Sequence, residues 1–375
     1  MQNRIIGLLL LALVLVACTG CSFGRPIEEL GIIIGIGIDK GEREHHAVTI
    51  TMPLFEREAE KSVIQLSAEG KNVEDALSII NQNTDKDLVH GQIRTIVIGE
   101  ELARAELDEH LDIVTRDPDF PLEAVLLVTK GKAKDFLNYK PPENPRIGVY
   151  TWDLMQSAAV RGYMMDADLI TFYIKKNAEG WDPCLPYLEL TDKGIALIGR
   201  ALFQDTKMIG SLNVEENKIL TILDEQVGLT PLSFDDPFEP DVDVKDRKYV
   251  NVQINSAKNK VKTRWENGQV KVTMEVRLAA EVVDKESLTN LINPDTLERY
   301  EKSFAEQYTH RAERLIAKFQ ELQTDPLGIG AYFRMQNYKT WKEMGGEKTW
   351  RDYWLAADVE VKTEFEIRRY GVIIK

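Results

Sequence analysis

Hydrophobic and polar positions in the first half of the chain alternate between strand-length and helix-length patterns. Residues 31–38 form a continuous apolar run, and residues 48–54 and 62–68 alternate with a period of two, so all three are predicted strands. Asn72, a favoured N-cap residue, precedes apolar positions at helical spacing. The same patterns predict further strands and helices at 93–98, 101–114, 123–129 and 132–138. Together they predict an α/β domain with a mixed sheet over residues 22–145.

A smaller helical section follows the proline-rich loop at 139–145. Helices are predicted there at 152–164 and 168–176, and prolines and a glycine at 183–194 mark its end. Residues 146–194 are therefore an intervening section that either stands alone or belongs to the N-terminal module.

The second half of the chain, residues 195–375, has the pattern of an α+β domain. The predicted elements are a hairpin at 195–204 and 207–211, a helix at 214–223, a solvated loop at 228–247, strands at 249–257, 260–265 and 269–283, and a final strand at 359–367. Apolar residues from Leu297 to Leu322 recur at near-helical spacing and predict one long amphipathic helix that ends near Gln323. We therefore expect an antiparallel sheet packed on a long helix.

The first twenty residues have the order of features of a bacterial lipoprotein signal peptide. A positive charge precedes an apolar run at 5–16, which is shorter than the roughly 20 residues that a membrane-spanning helix needs. Leu15 and Ala17 occupy the −3 and −1 positions before Cys18 and suit a lipoprotein signal peptidase. We expect residues 1–17 to be removed and Cys18 to carry the lipid on the outer face of a bacterial cytoplasmic membrane.

A second cysteine competes with Cys18 for lipidation. Thr19 and Gly20 before Cys21 also suit the peptidase, although Cys18 is a poorer −3 residue than Leu15. A secretory signal with two incidental cysteines is the remaining alternative. Several acyl chains would hold the terminus stably on the membrane, whereas a single chain binds only marginally.

Composition and charge narrow the class of the remaining body. The chain has 375 residues, which at about 100–200 residues per domain predicts two or three domains. Its formal net charge of −14 argues against nucleic acid as a partner, because phosphates favour clustered Lys and Arg. After the signal no apolar run is long enough to span a bilayer, so we expect a soluble body on a tether.

The sequence predicts no cofactor, no metal ion and no catalytic residue. Once Cys18 and Cys21 are assigned to the terminus, only Cys184 remains, and we interpret it as a small buried apolar residue. The five histidines do not cluster with carboxylates at ligand spacing. Neither a Gly-x-Ser-x-Gly nor a His-Glu-x-x-His sequence is present.

Four glycines, Gly31, Gly35, Gly37 and Gly41, invite comparison with a dinucleotide-binding loop. That loop places its glycines between a strand and a helix. Here they lie within the strand at 31–38 and in the turn that follows it. We therefore interpret them as part of a strand with close neighbours on both faces.

Two loops contain charged or imidazole side chains that are candidates for catalysis. Asp117 and Asp119, next to Arg116, would provide acid–base chemistry in a cell-wall hydrolase if their environments separated their pKa values. We favour an ion pair and a turn. His90 would serve as a general base, but no nucleophile or oxyanion donor accompanies it, so we interpret it as a turn residue.

Aromatic residues are concentrated near the C-terminus. They are Tyr332, Phe333, Tyr338, Trp341, Trp350, Tyr353 and Trp354. Such residues are enriched in the hot spots of partner surfaces. We favour the alternative, in which a loop-rich segment packs onto the sheet.

Five stretches occur in order along nearly the whole chain. They are Thr19-Gly20-Cys21 with 27–30 and 35–39; 90–94 with 98–103; Arg116-Asp117 with 131–133; 199–203 with 207–212; and 325–330 with Trp341, Trp350 and 367–371. No single stretch is specific. Together they resemble the Ger(x)C, or C-subunit, lipoproteins of bacterial spore germinant receptors.

This resemblance implies a three-domain, mixed α/β and α+β extracytoplasmic protein that is not an enzyme. It implies a lipid anchor at the inner spore membrane, with the body on the outer side. It also implies two membrane subunits, A and B, as partners in a receptor that detects nutrients such as amino acids or sugars.

The resemblance bears on the two cysteines and leaves one alternative function. The family aligns its lipidated cysteine with Cys21 rather than Cys18, and Ser22 stands where the family commonly has Trp. The choice between the cysteines therefore stays open. The alternative function is a membrane-tethered solute-binding lipoprotein that captures a ligand between its modules.

Overall fold

The computed structural model describes residues 26–369, apart from 55–62, 112, 114–115, 165–166, 239–247, 287–288 and 290. The predicted signal peptide, Cys18 and Cys21 lie outside the described residues. Within the described ranges, no helix is both long and apolar enough to cross a bilayer.

An eight-stranded mixed sheet forms the centre of the N-terminal part. The strands of this part are β1 (Leu30–Ile32), β2 (Gly35–Lys40), β3 (His46–Pro53), β4 (Val63–Gly70), β5 (Asp87–Val89), β6 (Thr95–Gly99), β7 (Val125–Lys130), β8 (Cys184–Thr191), β9 (Gly194–Gln204) and β10 (Lys207–Leu212). β1 and β5 form a separate parallel pair, and the sheet order is β10-β9-β8-β7-β6-β2-β3-β4. β2, β6, β7 and β8 are parallel, with antiparallel pairs on both sides. The predicted mixed sheet is confirmed.

Helices cover the two faces of this sheet. They are α1 (Val73–Gln82), α2 (Glu100–Ala103), α3 (Ala133–Asn138), α4 (Ile147–Val160) and α5 (Leu169–Asn177). The side chain of Asn72 caps α1, as predicted, by accepting a hydrogen bond from the Asp75 N–H at 2.8 Å. A Cβ on Gly37 would lie 2.9 Å from Leu137 Cδ1 on α3. This glycine in β2 therefore permits the close packing that the sequence predicts.

The predicted helix at 101–114 is wrong. α2 ends at Ala103, residues 104–106 are not helical, and a 3₁₀ turn follows at Leu107–Glu109, so the segment is not one continuous helix. Between them, Glu106 pairs with Lys207 in an isolated bridge, and the Leu107 N–H donates to the Thr206 carbonyl. The turn between β9 and β10 thus accepts a hydrogen bond that a continuing helix would have made internally.

A four-stranded sheet and a long helix form the C-terminal part. The elements are α6 (Val214–Leu223), β11 (Thr230–Asp235), β12 (Tyr249–Glu266), β13 (Gln269–Lys285), α7 (Pro294–Glu321), α8 (Ile329–Gln336), α9 (Tyr338–Glu343), α10 (Glu347–Leu355) and β14 (Asp358–Arg369). The sheet order is β11-β12-β13-β14. Tyr300, Phe304 and Phe319 of α7 are buried in the core that the sheet also lines. The predicted packing of a sheet on a long helix is confirmed.

Three details of this part differ from the predictions. β14 runs parallel to β13, because α7 to α10 carry the chain back along the sheet before β14 begins. The predicted loop at 228–247 contains strand β11, in which Leu232 and Phe234 are buried. The segment at 332–354 is largely helical rather than rich in loops, because its aromatic residues pack as helix faces.

The eight-stranded sheet crosses the boundary predicted between residues 194 and 195. That boundary falls after Gly194, the first residue of β9, and both β8 and β9 belong to the sheet. Helix α4 contacts β2 and β6, and α5 contacts β7, which favours the alternative that residues 146–194 belong to the N-terminal module. The division into three domains stays a prediction.

Candidate functional site

The thiol of Cys184 is buried, as its interpretation requires. The residue is 7% exposed and begins β8, and an Arg200 N–H lies 3.5 Å from its sulfur. Cys184 therefore packs as a core residue beside a buried guanidinium.

The structure brings together His90 and Asp117, which the sequence predicts to lie in two separate loops. The Nδ1 atom of His90 lies 3.1 Å from Asp117 Oδ2, and Asp117 Oδ1 accepts the Asp119 N–H at 2.9 Å. The ring of Phe120 is 6.1 Å from the imidazole, centre to centre. These neighbours hold a turn and offer no nucleophile, which favours the structural interpretation of the three polar residues.

The N-terminal and C-terminal parts meet at a mostly buried cluster with an exposed edge, which we call the joint: Gly180, Asp182, Asp205, Asp325, Gly330, Trp350 and Arg351. The segment between α5 and β8 lies against the loop between α7 and α8. Asp182 donates its N–H to the Asp325 carbonyl at 3.0 Å, and the Asp325 N–H donates to Asp182 Oδ2 at 2.8 Å. Ala331 N–H donates to the Gly180 carbonyl at 3.1 Å. The two segments are therefore paired through their backbones as well as their side chains.

Asp325 is the most deeply buried carboxyl group of the joint, at 1% exposure. Its oxygens accept the N–H groups of Ile329 at 2.9 Å and Gly330 at 2.7 Å, and the indole N–H of Trp350 at 3.2 Å. Burial raises the pKa of Asp325 to about 7, while the donated hydrogen bonds oppose the shift. Asp325 thereby caps the start of α8 and binds α10 to the same point.

Asp182 and Arg351 extend the joint towards its edge. Asp182 Oδ1 accepts the Asp205 N–H and an Arg351 N–H, both at 3.1 Å. The same guanidinium nitrogen lies 2.9 Å from the Asp205 carboxylate. Burial raises the pKa of Asp182, and the charge of Arg351 opposes that rise. Arg351 thus compensates a buried carboxylate that belongs to the other part of the chain.

Tight backbone contact and tryptophan side chains complete the joint. A Cβ on Gly330 would lie 2.6 Å from Gly180 Cα and from the Trp350 indole. Trp354 donates its indole N–H to the Thr324 carbonyl at 2.8 Å. Because Trp350 and Trp354 are buried, packing accounts for them better than a partner surface, although Tyr338 of the same aromatic group is exposed.

Sequence reasoning did not identify the polar residues of the joint. Asp182 and Arg351 are separated by 169 positions, so no local pattern connects them. One weak signal was present: Asp182 and Asp325 each precede a proline, where the backbone is restricted to extended conformations. Among the described residues, no group of three or more His, Cys, Asp or Glu side chains is placed to hold a metal ion.

Family comparisons cover both parts of the chain. A spore germination protein N-terminal domain matches residues 24–190, and a spore germination B3/GerAC-like C-terminal domain matches residues 198–371. The spore germination protein GerQC of Bacillus cereus is 21% identical, over 91% of this chain and 94% of that protein. The spore germination protein KC of Bacillus subtilis (strain 168) is 22% identical, over 97% and 95% of the two chains.

A solved structure has the same fold. The crystal structure of the GerBC protein covers 92% of this chain and 100% of its own, with a TM-score of 0.56 and 18% sequence identity. The fold match agrees with the family matches over both parts. The chain belongs to the Ger(x)C family of spore germination proteins.

Proposed function

We propose that this chain is the lipid-anchored, non-catalytic C subunit of a spore germinant receptor and acts in nutrient-triggered germination. The observation that carries the proposal is the match of two spore-germination domains to successive parts of the chain, residues 24–190 and 198–371. The order of charge, apolar run, small residue and cysteine at the N-terminus supports the lipid anchor.

The proposed partners are the A and B membrane subunits of the receptor. A lipid on Cys18 or Cys21 would hold the body beside them on the outer side of the inner spore membrane. The joint favours a structural over a catalytic role for the protein, because its carboxylates already accept hydrogen bonds from backbone amides, an indole and Arg351. We therefore expect the N-terminal and C-terminal parts to act as a single unit beside the partner subunits.

Deletion of the gene tests the function. We expect spores that lack the protein to lose germination in response to at least one nutrient and to regain it when the wild-type gene is restored. A matched strain that carries the Cys18→Ala, Cys21→Ala double variant should resemble the deletion if the anchor is required. Deletion spores that respond normally to every nutrient would overturn the proposal.

Co-purification tests the partners. Membranes of the wild-type strain, solubilised in mild detergent, should yield multispanning membrane proteins together with a tagged copy of this chain. The double cysteine variant is the control, because it shows whether the multispanning proteins are recovered only through the lipid anchor. Recovery of the tagged chain without any multispanning protein would argue against a receptor subunit.

A further inference from the structure

A cavity of about 440 Å³ lies in the C-terminal part, between the start of α6, strand β11 and the middle of α7. Its size falls in the range of small-molecule sites, about 300–1,000 Å³. Arg311 and Arg314 of α7 both line it. Because they are three residues apart on one helix, they lie on the same face. The cavity is thus lined by two neighbouring guanidinium groups.

The two guanidinium groups differ in how firmly contacts with the rest of the protein hold them in place. Arg311 is half-buried, donates one N–H to the Ser233 carbonyl at 2.8 Å and lies 5.0 Å above the ring centre of Phe234. Arg314 is exposed. A guanidinium has five N–H donors, so the bond to Ser233 leaves most of those on Arg311 available. Arg311 is the fixed group of the pair, and Arg314 is the adaptable one.

The acidic residues at this cavity are already neutralised. Glu215 lies 2.6 Å from the ammonium group of Lys218, and both oxygens of Glu216 lie within 2.9 Å of that of Lys318. In the parts of the chain that the structure describes, no carboxylate comes within the 4.0 Å ion-pair distance of Arg311 or Arg314. Among the described residues that line the cavity, Arg311 and Arg314 are therefore the charged groups that remain available to an anion, although the chain as a whole is acidic.

The pKa of Arg311 reflects its burial and the charges around it. Burial lowers the pKa of Arg311, the charges of Asp235 and Glu215 oppose that shift, and the charge of Arg314 adds a smaller effect in the same direction as burial. Two like charges in one cavity repel each other, and an anion placed between them removes that repulsion. The planar N–H fork of arginine matches the oxygens of a carboxylate or a phosphate.

We propose that this cavity binds a small oxyanion, a carboxylate or a phosphate group, between Arg311 and Arg314. The site lies within the C-terminal part, so its existence does not depend on the lipid anchor or on the partner subunits.

Calorimetric titration of the whole protein tests the site. Sodium acetate and sodium phosphate are titrated separately at constant ionic strength. We expect saturable binding of at least one of them with a dissociation constant near 1 mM, or about −4 kcal/mol. Arg314→Gln should weaken binding about tenfold, because a bidentate charged contact is lost.

The control variant is Arg299→Gln on the same helix. Arg299 donates to the Pro237 carbonyl at 3.0 Å and lies over the Phe238 ring, away from the cavity. Its binding should equal that of the wild type. Arg311→Gln is a second test variant, and Arg314→Gln keeps the test decisive if Arg311→Gln fails to fold.

Each outcome decides the proposal. Binding of acetate alone, of phosphate alone or of both, with loss in Arg314→Gln, supports the site and identifies the oxyanion. The proposal is overturned if neither ion binds saturably. It is equally overturned if Arg314→Gln and Arg299→Gln bind as the wild type does, since that result indicates adventitious binding elsewhere.

Discussion

At the scale of single residues, the buried carboxyl group of Asp325 makes the stability of the protein depend on pH. Its pKa in the folded protein is raised to about 7 by burial, from an ordinary value of 3.8. Between pH 3.8 and about pH 7, the folded state therefore keeps a proton on Asp325 that the unfolded state has released. The contribution of Asp325 to the free energy of unfolding is fully present below pH 3.8 and is lost as the pH rises through about 7.

The variant Asp325→Asn tests this dependence. We expect the free energy of unfolding of the wild type to fall between pH 5 and pH 7.5, by at most about 1.4 kcal/mol per pH unit from this group. The variant should show a flatter profile, because an amide does not titrate. Urea denaturation at a series of pH values measures it. Asp352→Asn, at an exposed position on α10, is the control, and equal slopes in both variants would contradict the assignment.

The lipid-bearing residue is a second prediction at this scale. Cys21→Ala should abolish incorporation of labelled palmitate if the family alignment is right, and Cys18→Ala should do so if the local peptidase preference is right. Mass spectrometry of the mature N-terminus gives the acylated residue directly. Cys184→Ala is the control, since that thiol is buried. Undiminished labelling of the Cys18→Ala, Cys21→Ala double variant would exclude both.

At the scale of elements, the buried face of α7 sets the stability of the C-terminal part. Phe304 is fully buried and stacks on Phe234 of β11 with ring centres 4.6 Å apart. Phe365 of β14 contacts the Phe304 ring edge-on, with ring centres 5.5 Å apart. One side chain thus joins the helix to both edges of the sheet, because β11 and β14 are its outer strands.

The variant Phe304→Ala should lower the free energy of unfolding by about 3–5 kcal/mol, because it leaves a cavity in a packed core. Chemical denaturation followed by circular dichroism measures the change. Met335→Ala, on α8 at 71% exposure, is the control and should change stability by less than about 0.5 kcal/mol. A loss in Phe304→Ala no larger than that of the control would contradict this role for α7.

Elements with local signals could be predicted from the sequence. α1 begins where Asn72 caps it, and α6 begins with a capping box formed by Asn213 and Glu216. The β12–β13 hairpin turns at Asn267-Gly268, both with positive φ. The helix predicted at 101–114 failed because its residues also bond the β9–β10 turn, a contact about 100 positions away. A local sequence pattern therefore predicts an element correctly unless distant residues form hydrogen bonds with its backbone amides.

At the scale of the whole molecule, the connection between the two parts could not be read from the sequence. Sheet order depends on which strands pair over long distances, and the β9–β10 hairpin gave no sign that it completes the N-terminal sheet. The joint brings together Asp182, Asp325 and Arg351 from three distant segments. Residues 325–330 and Trp350 are part of one of the five stretches that carry the family resemblance, but their contacts became clear only from the fold.

The joint should couple the unfolding of the two parts. Gly330→Ala places a methyl group 2.6 Å from Gly180 Cα and from the Trp350 indole, so the two segments must separate. We expect a loss of about 1–3 kcal/mol from overpacking. Hydrogen exchange of amides in β6 and β13 reports each part separately. Both sets should lose protection, because the joint stabilises both sides.

A matched control separates coupling from simple damage. Gly91→Ala adds the same methyl group where its nearest contact is 3.6 Å from the Asp119 carbonyl oxygen, an ordinary distance. It should leave the exchange of both parts unchanged. If Gly330→Ala lowers the protection of β13 while β6 exchanges as in the wild type, the joint fastens the C-terminal part without coupling it to the N-terminal sheet. Loss in both strands is the result expected of a body that unfolds as one unit.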